Sequence, residues 1–271
     1  FGFFALIGAP NVGKSTLINS IVGSKISIVS PKVQTTRARV LGITVSGKSQ
    51  IVFIDTPGIF KPKHRLDRAM VSSAWIGVSE ADKVLLLVDA MQGYDNSINL
   101  ILNRLKKQNK KIFLVINKID QVKKTILLDL ASRYSKTELF SEIFMLSAKS
   151  GDGVEYLINK LIKVLPEGPW MFPKDQISTM PSRLLAAEIT REKIYLQLHQ
   201  ELPYAISVET ERWEEVDDQS VKVHQVIYVK KSGQKSIVLG KNGKKIKKIG
   251  ELSRRELEEI LGQKVHLFLF V

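Results

Sequence analysis

The stretch Gly8-Ala9-Pro10-Asn11-Val12-Gly13-Lys14-Ser15-Thr16 constrains this chain more than any other. An apolar run, Phe3-Phe4-Ala5-Leu6-Ile7, precedes it, and Leu17, Ile18, Ile21 and Val22 follow at helical spacing. Strand, glycine loop ending in Lys-Ser, then helix is the context in which such a loop cradles phosphate. Backbone N–H groups of the loop and the helix N-terminus face the anion, and Lys14 reaches the β- and γ-phosphates. The Ser15 hydroxyl is placed to ligate Mg2+.

Further apolar runs fall at residues 40–46, 50–54, 83–88, 111–116 and 142–146. Runs such as Val84-Leu85-Leu86-Leu87-Val88 are continuous rather than alternating, which fits strands buried on both faces of a mostly parallel sheet. Helical periodicity lies between them, at Ile98, Ile101, Leu102, Leu105 and at Val154, Leu157, Ile158, Leu161, Ile162. The alternation predicts an α/β, doubly wound domain over residues 1–166. Four prolines between 166 and 182 and the loss of periodicity mark residues 167–182 as a linker. Residues 183–271 then form a second, smaller α+β domain. A helix is expected from Ser182 to about Glu201, alternating strands over Ala205–Trp213 and Val221–Val229, two helical segments at Lys235–Leu239 and Lys244–Leu261, and a last strand over Val265–Val271.

At the ends of the predicted strands stand residues suited to a nucleotide. Asp55-Thr56-Pro57-Gly58 follows Ile51–Ile54. There a carboxylate can hold Mg2+ through water, and the Gly58 N–H can approach a γ-phosphate with no side chain in the way. Asn117-Lys118-Ile119-Asp120 ends the strand Ile112–Ile116. The Asp120 carboxylate can accept from guanine N1–H and the 2-amino group, whereas adenine offers neither donor there, so guanine is selected. Asn117 can bond the purine edge and tie its loop to the glycine loop, and the Lys118 stem can cover the base. Ser147-Ala148-Lys149 would present backbone N–H groups to guanine O6. In the polar connection Gln34-Thr35-Thr36-Arg37, a threonine hydroxyl can complete the Mg2+ shell when a γ-phosphate is present, giving an order–disorder switch.

The net charge of +14 points to a polyanionic partner. It is most concentrated between Lys230 and Gly250, where eight lysines occur with no acid. Within that stretch Gly240-Lys241-Asn242-Gly243 separates two helical segments. KH domains use a Gly-x-x-Gly turn so placed to clamp single-stranded backbone. Lys235, Lys241, Asn242, Lys244, Lys245, Lys247 and Lys248, with Gly240 and Gly243, are the expected RNA contacts. Ile237, Val238, Ile246 and Ile249 either support bases or form core, core being expected for at least two of them.

The chain has no cysteine, which excludes disulfides and thiolate metal sites. Its histidines, His64, His199, His224 and His266, have no ligand spacing. No apolar run is long enough to span a bilayer. The sequence starts at Phe1 rather than methionine, so residues before it are expected to be missing and nothing is read about a leader segment.

Together these motifs resemble the translation-factor-related GTPases, and their pairing with the C-terminal module is similar to the Era family. Gly8–Ser15, the Thr36 region, Asp55–Gly58, Asn117–Asp120 and Ser147–Lys149 match that class's five nucleotide motifs in order. The resemblance implies a GTPase domain joined to a type II KH domain, with Thr36 rather than Thr35 as the switch ligand. It implies Asn11, Lys14, Thr36 and Gly58 as the catalytic set. Many regulatory GTPases carry a water-orienting glutamine after Asp-x-x-Gly; here Ile59 stands there, so slow intrinsic hydrolysis is expected. Related GTPases with asparagine at the Asn11 position can ligate a monovalent cation, which makes K+ a second cofactor beside Mg2+. The implied partners are GTP and GDP, the 3′ region of 16S rRNA and the 30S subunit during assembly, with no DNA. A cytoplasmic monomer with peripheral association at the inner membrane face is implied by the same resemblance. Two alternatives stay open: a GTP-regulated RNA-binding module in which hydrolysis only resets binding, and a GTPase of tRNA modification or another assembly step.

Overall fold

The computed structural model describes every residue except 33, 34, 38, 109 and 199–205, together with the side chains of Asn96 and Ser97. Gln34, His199, the Glu201 end of the expected helix and Ala205 therefore lie outside the described residues. The chain divides into two compact units, one formed by Phe1–Ser27 and Val33–Thr179, the other by Ile28–Lys32 and Met180–Val271.

The first unit is the doubly wound α/β domain that the apolar runs predict. Its strands are β1 (Gly2–Ile7), β2 (Val40–Ser46), β3 (Ser49–Asp55), β4 (Lys83–Asp89), β5 (Ile112–Asn117) and β6 (Glu142–Leu146). They form one sheet in the order β2-β3-β1-β4-β5-β6, parallel throughout except for the β2–β3 hairpin. Helices α1 (Lys14–Val22), α2 (Arg65–Glu80), α3 (Asn96–Leu105) and α4 (Lys124–Ser135) lie in the connections between strands, and α5 (Val154–Ile162) follows β6. Ala5, Ile7, Val84, Leu86, Leu114 and Ile116 of the central strands pack with Ala74, Trp75, Ile101, Leu102, Leu127 and Tyr134 of the helices in one buried cluster. Both faces of these strands are covered, which is why their sequences run apolar without alternation. Because β1, β3, β4, β5 and β6 are parallel, their C-terminal ends share one edge. That edge brings together residues 8, 55, 89, 117 and 147.

The stretch assigned to a linker lies along the β2–β3 hairpin as far as Thr179. Ile43 N–H donates to Ile177 O at 2.8 Å, Ser178 Oγ donates to Leu41 O at 2.9 Å, and Trp170 Nε1 donates to Lys48 O at 2.9 Å. The buried Gln50 side chain accepts from the N–H groups of Met171 and Phe172 and donates to Phe172 O. Proline-rich chain without periodicity is thus fixed here by hydrogen bonds to the neighbouring hairpin rather than by a regular element of its own.

The second unit contains α6 (Ser182–Gln197), β7 (Ile206–Glu215), β8 (Val221–Val229), α7 (Ser232–Leu239), α8 (Lys244–Leu261) and β9 (Val265–Phe270). β8 is antiparallel to β7 and parallel to β9, in a three-stranded sheet ordered β7-β8-β9. Helices lie on one face, where Ala187, Ile194, Ile206, Ile227, Val238 and Ile249 are buried together. α7 begins three residues before the expected Lys235. Its start is set by a polar cap, Lys231 N–H donating to Gln234 Oε1 at 2.9 Å, and apolar spacing does not show such a cap. Among the described residues no helix is long and apolar enough to cross a membrane, and no group of His, Asp or Glu has the makings of a metal cluster.

Candidate functional site

The loop between β1 and α1 is shaped by positions that tolerate no side chain. Gly8 has φ +151°, and a Cβ there would lie 2.3 Å from Leu87 O; at Gly13, with φ +99°, it would lie 2.2 Å from Asn117 Nδ2. Asn11, exposed at the loop's crest, holds φ 62°, a left-handed conformation that asparagine accepts. Lys14 folds back over this loop, its Nζ donating to Ala9 O at 2.9 Å and Gly8 O at 3.3 Å. It is 6 % exposed. Burial lowers its pKa from 10.5 to about 8, against the opposing charge of Asp55.

Asp55, at the end of β3, has no exposed surface. Its Oδ2 accepts from Ser15 Oγ at 2.9 Å and from Ser27 Oγ at 2.7 Å. Ser15 Oγ is also 3.0 Å from Thr36 Oγ1. Desolvation pushes the Asp55 carboxyl above its usual pKa, while the Ser27 hydroxyl, the Lys14 charge and Ser15 act in the opposite direction. Oδ1 of Asp55 is buried with no hydrogen-bond partner. One carboxylate with an orphaned oxygen beside two hydroxyls is an oxygen donor set of the kind Mg2+ accepts, completed by water and phosphate rather than by more carboxylates. The residues present therefore fit that ion.

The Asp55–Gly58 loop is tied to the glycine loop. Thr56 Oγ1 donates to Leu6 O at 2.6 Å, and Ile59 N–H donates to Gly8 O at 2.9 Å. Pro57 lies between them, and a Cβ on Gly58 would meet three Pro10 atoms at 2.9 Å. The Ile59 side chain is buried in the core of the first unit. It offers no polar group to a water molecule.

On the base side, Asn117 bridges two loops: its Nδ2 donates to Val12 O at 2.8 Å and its Oδ1 accepts from Ala148 N–H at 2.9 Å. Lys118, at φ 65°, donates through Nζ to Asp89 Oδ2 at 2.6 Å. Asp89 is buried and accepts from Met91 N–H through its other oxygen. The exposed Asp120 carboxyl is held below its usual pKa, first by a hydrogen bond from the Ser147 hydroxyl. Ser147 itself is buried, with Lys149 exposed two residues on. Thr16 is half-buried in the first turn of α1. Asp89 and Ser27 were not singled out from the sequence, because their partners stand 29 and 28 residues away.

In the second unit Gly240 has φ 71° and ψ 174°, Asn242 has φ 53° and Gly243 φ 69°. A Cβ on Gly240 would lie 2.6 Å from Lys245 Cβ, so both conformation and space require glycine. Lys235, Lys241, Asn242, Lys244, Lys247 and Lys248 are exposed and Lys245 is half-buried. Beside the turn runs a groove of about 520 Å³ lined by Ile246, Lys247, Gly250, Glu251, Arg254, Leu267 and Leu269. Val238 and Ile249 lie in the core, whereas Ile237 is 44 % exposed. The groove's apolar wall thus comes partly from β9, which the helix-centred reading of the sequence did not include.

Two family models match the chain: one described as 50S ribosome-binding GTPase over residues 3–118, the other as KH domain over residues 201–270. GTPase Era of Agrobacterium fabrum is 58 % identical, covering 100 % of this chain and 85 % of that protein. GTPase Era of Rhizobium meliloti is 56 % identical, covering 100 % and 86 %. A crystal structure of Era in complex with MgGDPNP and nucleotides 1506-1542 of 16S ribosomal RNA matches with a TM-score of 0.95 at 40 % identity, covering 99 % of this chain and 91 % of that one. An Aquifex aeolicus Era variant bound to GDP and AlF4- matches with a TM-score of 0.95 at 40 % identity, covering 100 % and 92 %.

Proposed function

The chain belongs to the Era family of GTPases, and we propose on that premise that it is a GTP-dependent switch that binds the 3′ region of 16S rRNA and assists assembly of the 30S subunit. The observation that carries this reading is the joint presence of a complete guanine-nucleotide edge and a glycine-pinned, lysine-flanked turn in one chain. The relative bound to both MgGDPNP and nucleotides 1506-1542 of 16S ribosomal RNA supports the choice of ligand. GTP enters with its phosphates on backbone N–H groups of the glycine loop and the start of α1, Pro10 having none, and on Lys14. Its base pairs with the Asp120 carboxylate between Asn117, Lys118 and the Ser147–Lys149 loop. Ser15, Thr36 and Asp55 would hold Mg2+, Asp55 through water. That ion supplies charge neutralisation at the phosphates.

Hydrolysis in this account is slow, since Ile59 is buried and leaves water to be oriented by backbone at Gly58 and by the loop. Asn11, exposed with φ 62°, is the proposed ligand of K+. Faster turnover in potassium than in sodium, lost in Asn11→Ala, is the expected result; equal rates in both salts would remove K+ from the account. We place the protein in the cytoplasm as a monomer. The charge of +14 supports peripheral association with an anionic membrane face.

The RNA assignment is tested by competition binding with the GTP-analogue form. An RNA of the 3′ end of 16S rRNA should outcompete a shuffled RNA and the DNA of the same sequence by ten-fold or more. Equal competition by the shuffled RNA would reduce the second unit to a non-specific polyanion binder.

A further inference from the structure

We propose that Asn19 and Ser27 form a preset clamp that positions Asp55 for Mg2+, with Ser27 a positioning residue that never ligates the metal itself. The proposal rests on the reading that Asp55 serves that ion. α1 starts at Lys14, so Ser15 and Asn19 are four residues apart and share one face of the helix. The helix ends at Gly23, with φ 73° and its N–H donating to Asn19 O at 2.9 Å, and the chain turns back along it. The Asn19 side chain catches the returning segment with three hydrogen bonds. Oδ1 accepts from Ile26 N–H at 3.0 Å and from Ser27 N–H at 3.0 Å, and Nδ2 donates to Ser27 O at 2.7 Å.

An amide offers about four hydrogen-bonding positions. Spending three of them on two consecutive residues fixes Ser27 rather than merely covering it. Ser27 is 3 % exposed, and its Oγ donates to Asp55 Oδ2 at 2.7 Å. The two hydroxyls on that oxygen differ in what they are free to do. Ser15 Oγ also meets Thr36 Oγ1, and metal ligation requires its lone pairs. Ser27 has no such second task, so its bond persists whether or not the ion is bound. With Oδ2 held, Oδ1, which has no hydrogen-bond partner, is the oxygen left for a metal-bound water. The carboxylate is thereby oriented before the ion arrives, which lowers the ordering required on binding.

The test follows release of a fluorescent GDP from the full chain as free Mg2+ is titrated, giving a Mg2+ midpoint and a metal-free release rate. Ser27→Ala should raise the midpoint about tenfold or more, as loss of a hydrogen bond to a charged group implies. The metal-free release rate should stay within about twofold. Ser27→Thr, which keeps the hydroxyl, should restore most of the Mg2+ response, and Asn19→Ala should move the midpoint in the direction of Ser27→Ala. A wild-type midpoint in Ser27→Ala overturns the proposal. A metal-free release rate raised as much as the Mg2+-dependent one also overturns it, because the residue would then hold the loop and not the carboxylate. Asp55→Asn separates the premise: if it leaves the midpoint unchanged, the assignment of Asp55 to Mg2+ fails, and the clamp with it.

Discussion

The molecule presents two glycine-shaped turns suited to phosphate, one at Gly8–Ser15 and one at Gly240–Gly243, and they solve the problem in opposite ways. At the first, the cation is buried: Lys14 is 6 % exposed, bonded to two carbonyls, and its pKa is lowered to about 8. At the second, Lys241 within the turn and Lys244 just after it are exposed to water. A desolvated charge held in place acts strongly on one geometry, whereas solvated lysines act at longer range and are screened by salt. The first turn is thus built to distinguish one small ligand in one pose. The second is built to follow a flexible backbone, with selectivity left to the groove lined by Ile246, Leu267 and Leu269.

The largest effect that sharpens this contrast is expected from Lys14→Ala. GTP affinity, followed by fluorescent nucleotide titration, should fall by at least about 10²-fold, with RNA affinity of the nucleotide-free protein unchanged. Asp120→Asn comes next. Replacing the acceptor by an amide sets a donor against guanine N1–H, and GDP affinity should drop by about 10²-fold while inorganic phosphate still competes at the glycine loop. The double change Lys241→Ala with Lys244→Ala should weaken RNA binding and lower the slope of log affinity against log salt by about 1 to 2, with GTP binding untouched. Salt-independent RNA affinity in the wild type would break the comparison.

The smallest effect is a pH signature. Lys14 has a pKa lowered to about 8 in the folded protein against 10.5 ordinarily, so the unfolded chain holds more protons between those values. Stability contributed by this group therefore rises with pH across that window. Affinity of the nucleotide-free protein for GTP moves the other way, because the charged lysine is the binding form, and it should begin to fall above about pH 8. Lys14→Met should abolish both trends; identical pH profiles in wild type and variant would show that Lys14 is not the titrating group.

Much of this was readable in the chain because it depends on neighbours in sequence. Continuous runs such as Val84–Val88 announced buried parallel strands, and a parallel sheet places the strand ends at one edge. The loop Gly8–Ser15 and the turn Gly240–Gly243 announced themselves through glycines that φ values of +151°, +99°, +71° and +69° require. What stayed hidden was held by tertiary contact. Asp89 looks like an ordinary strand-end acid until Lys118 reaches it from the next strand. Ser27 and Asn19 are common surface residue types, and only the bond of Ser27 to Asp55 and the hold of Asn19 on Ser27 give them weight. The proline-rich 167–182 stretch lacks periodicity because several of its bonds run to the β2–β3 hairpin, Gln50 included, rather than along a regular element of its own.

The central claim is that the state of the buried turn governs what the exposed turn binds. Affinity for the 3′ region of 16S rRNA, measured on the full chain loaded with GDP and then with a non-hydrolysable GTP analogue in Mg2+, tests it directly. The account predicts binding at least several-fold tighter in the analogue form, a difference that Lys14→Ala removes. Equal affinity in the two nucleotide states would contradict it.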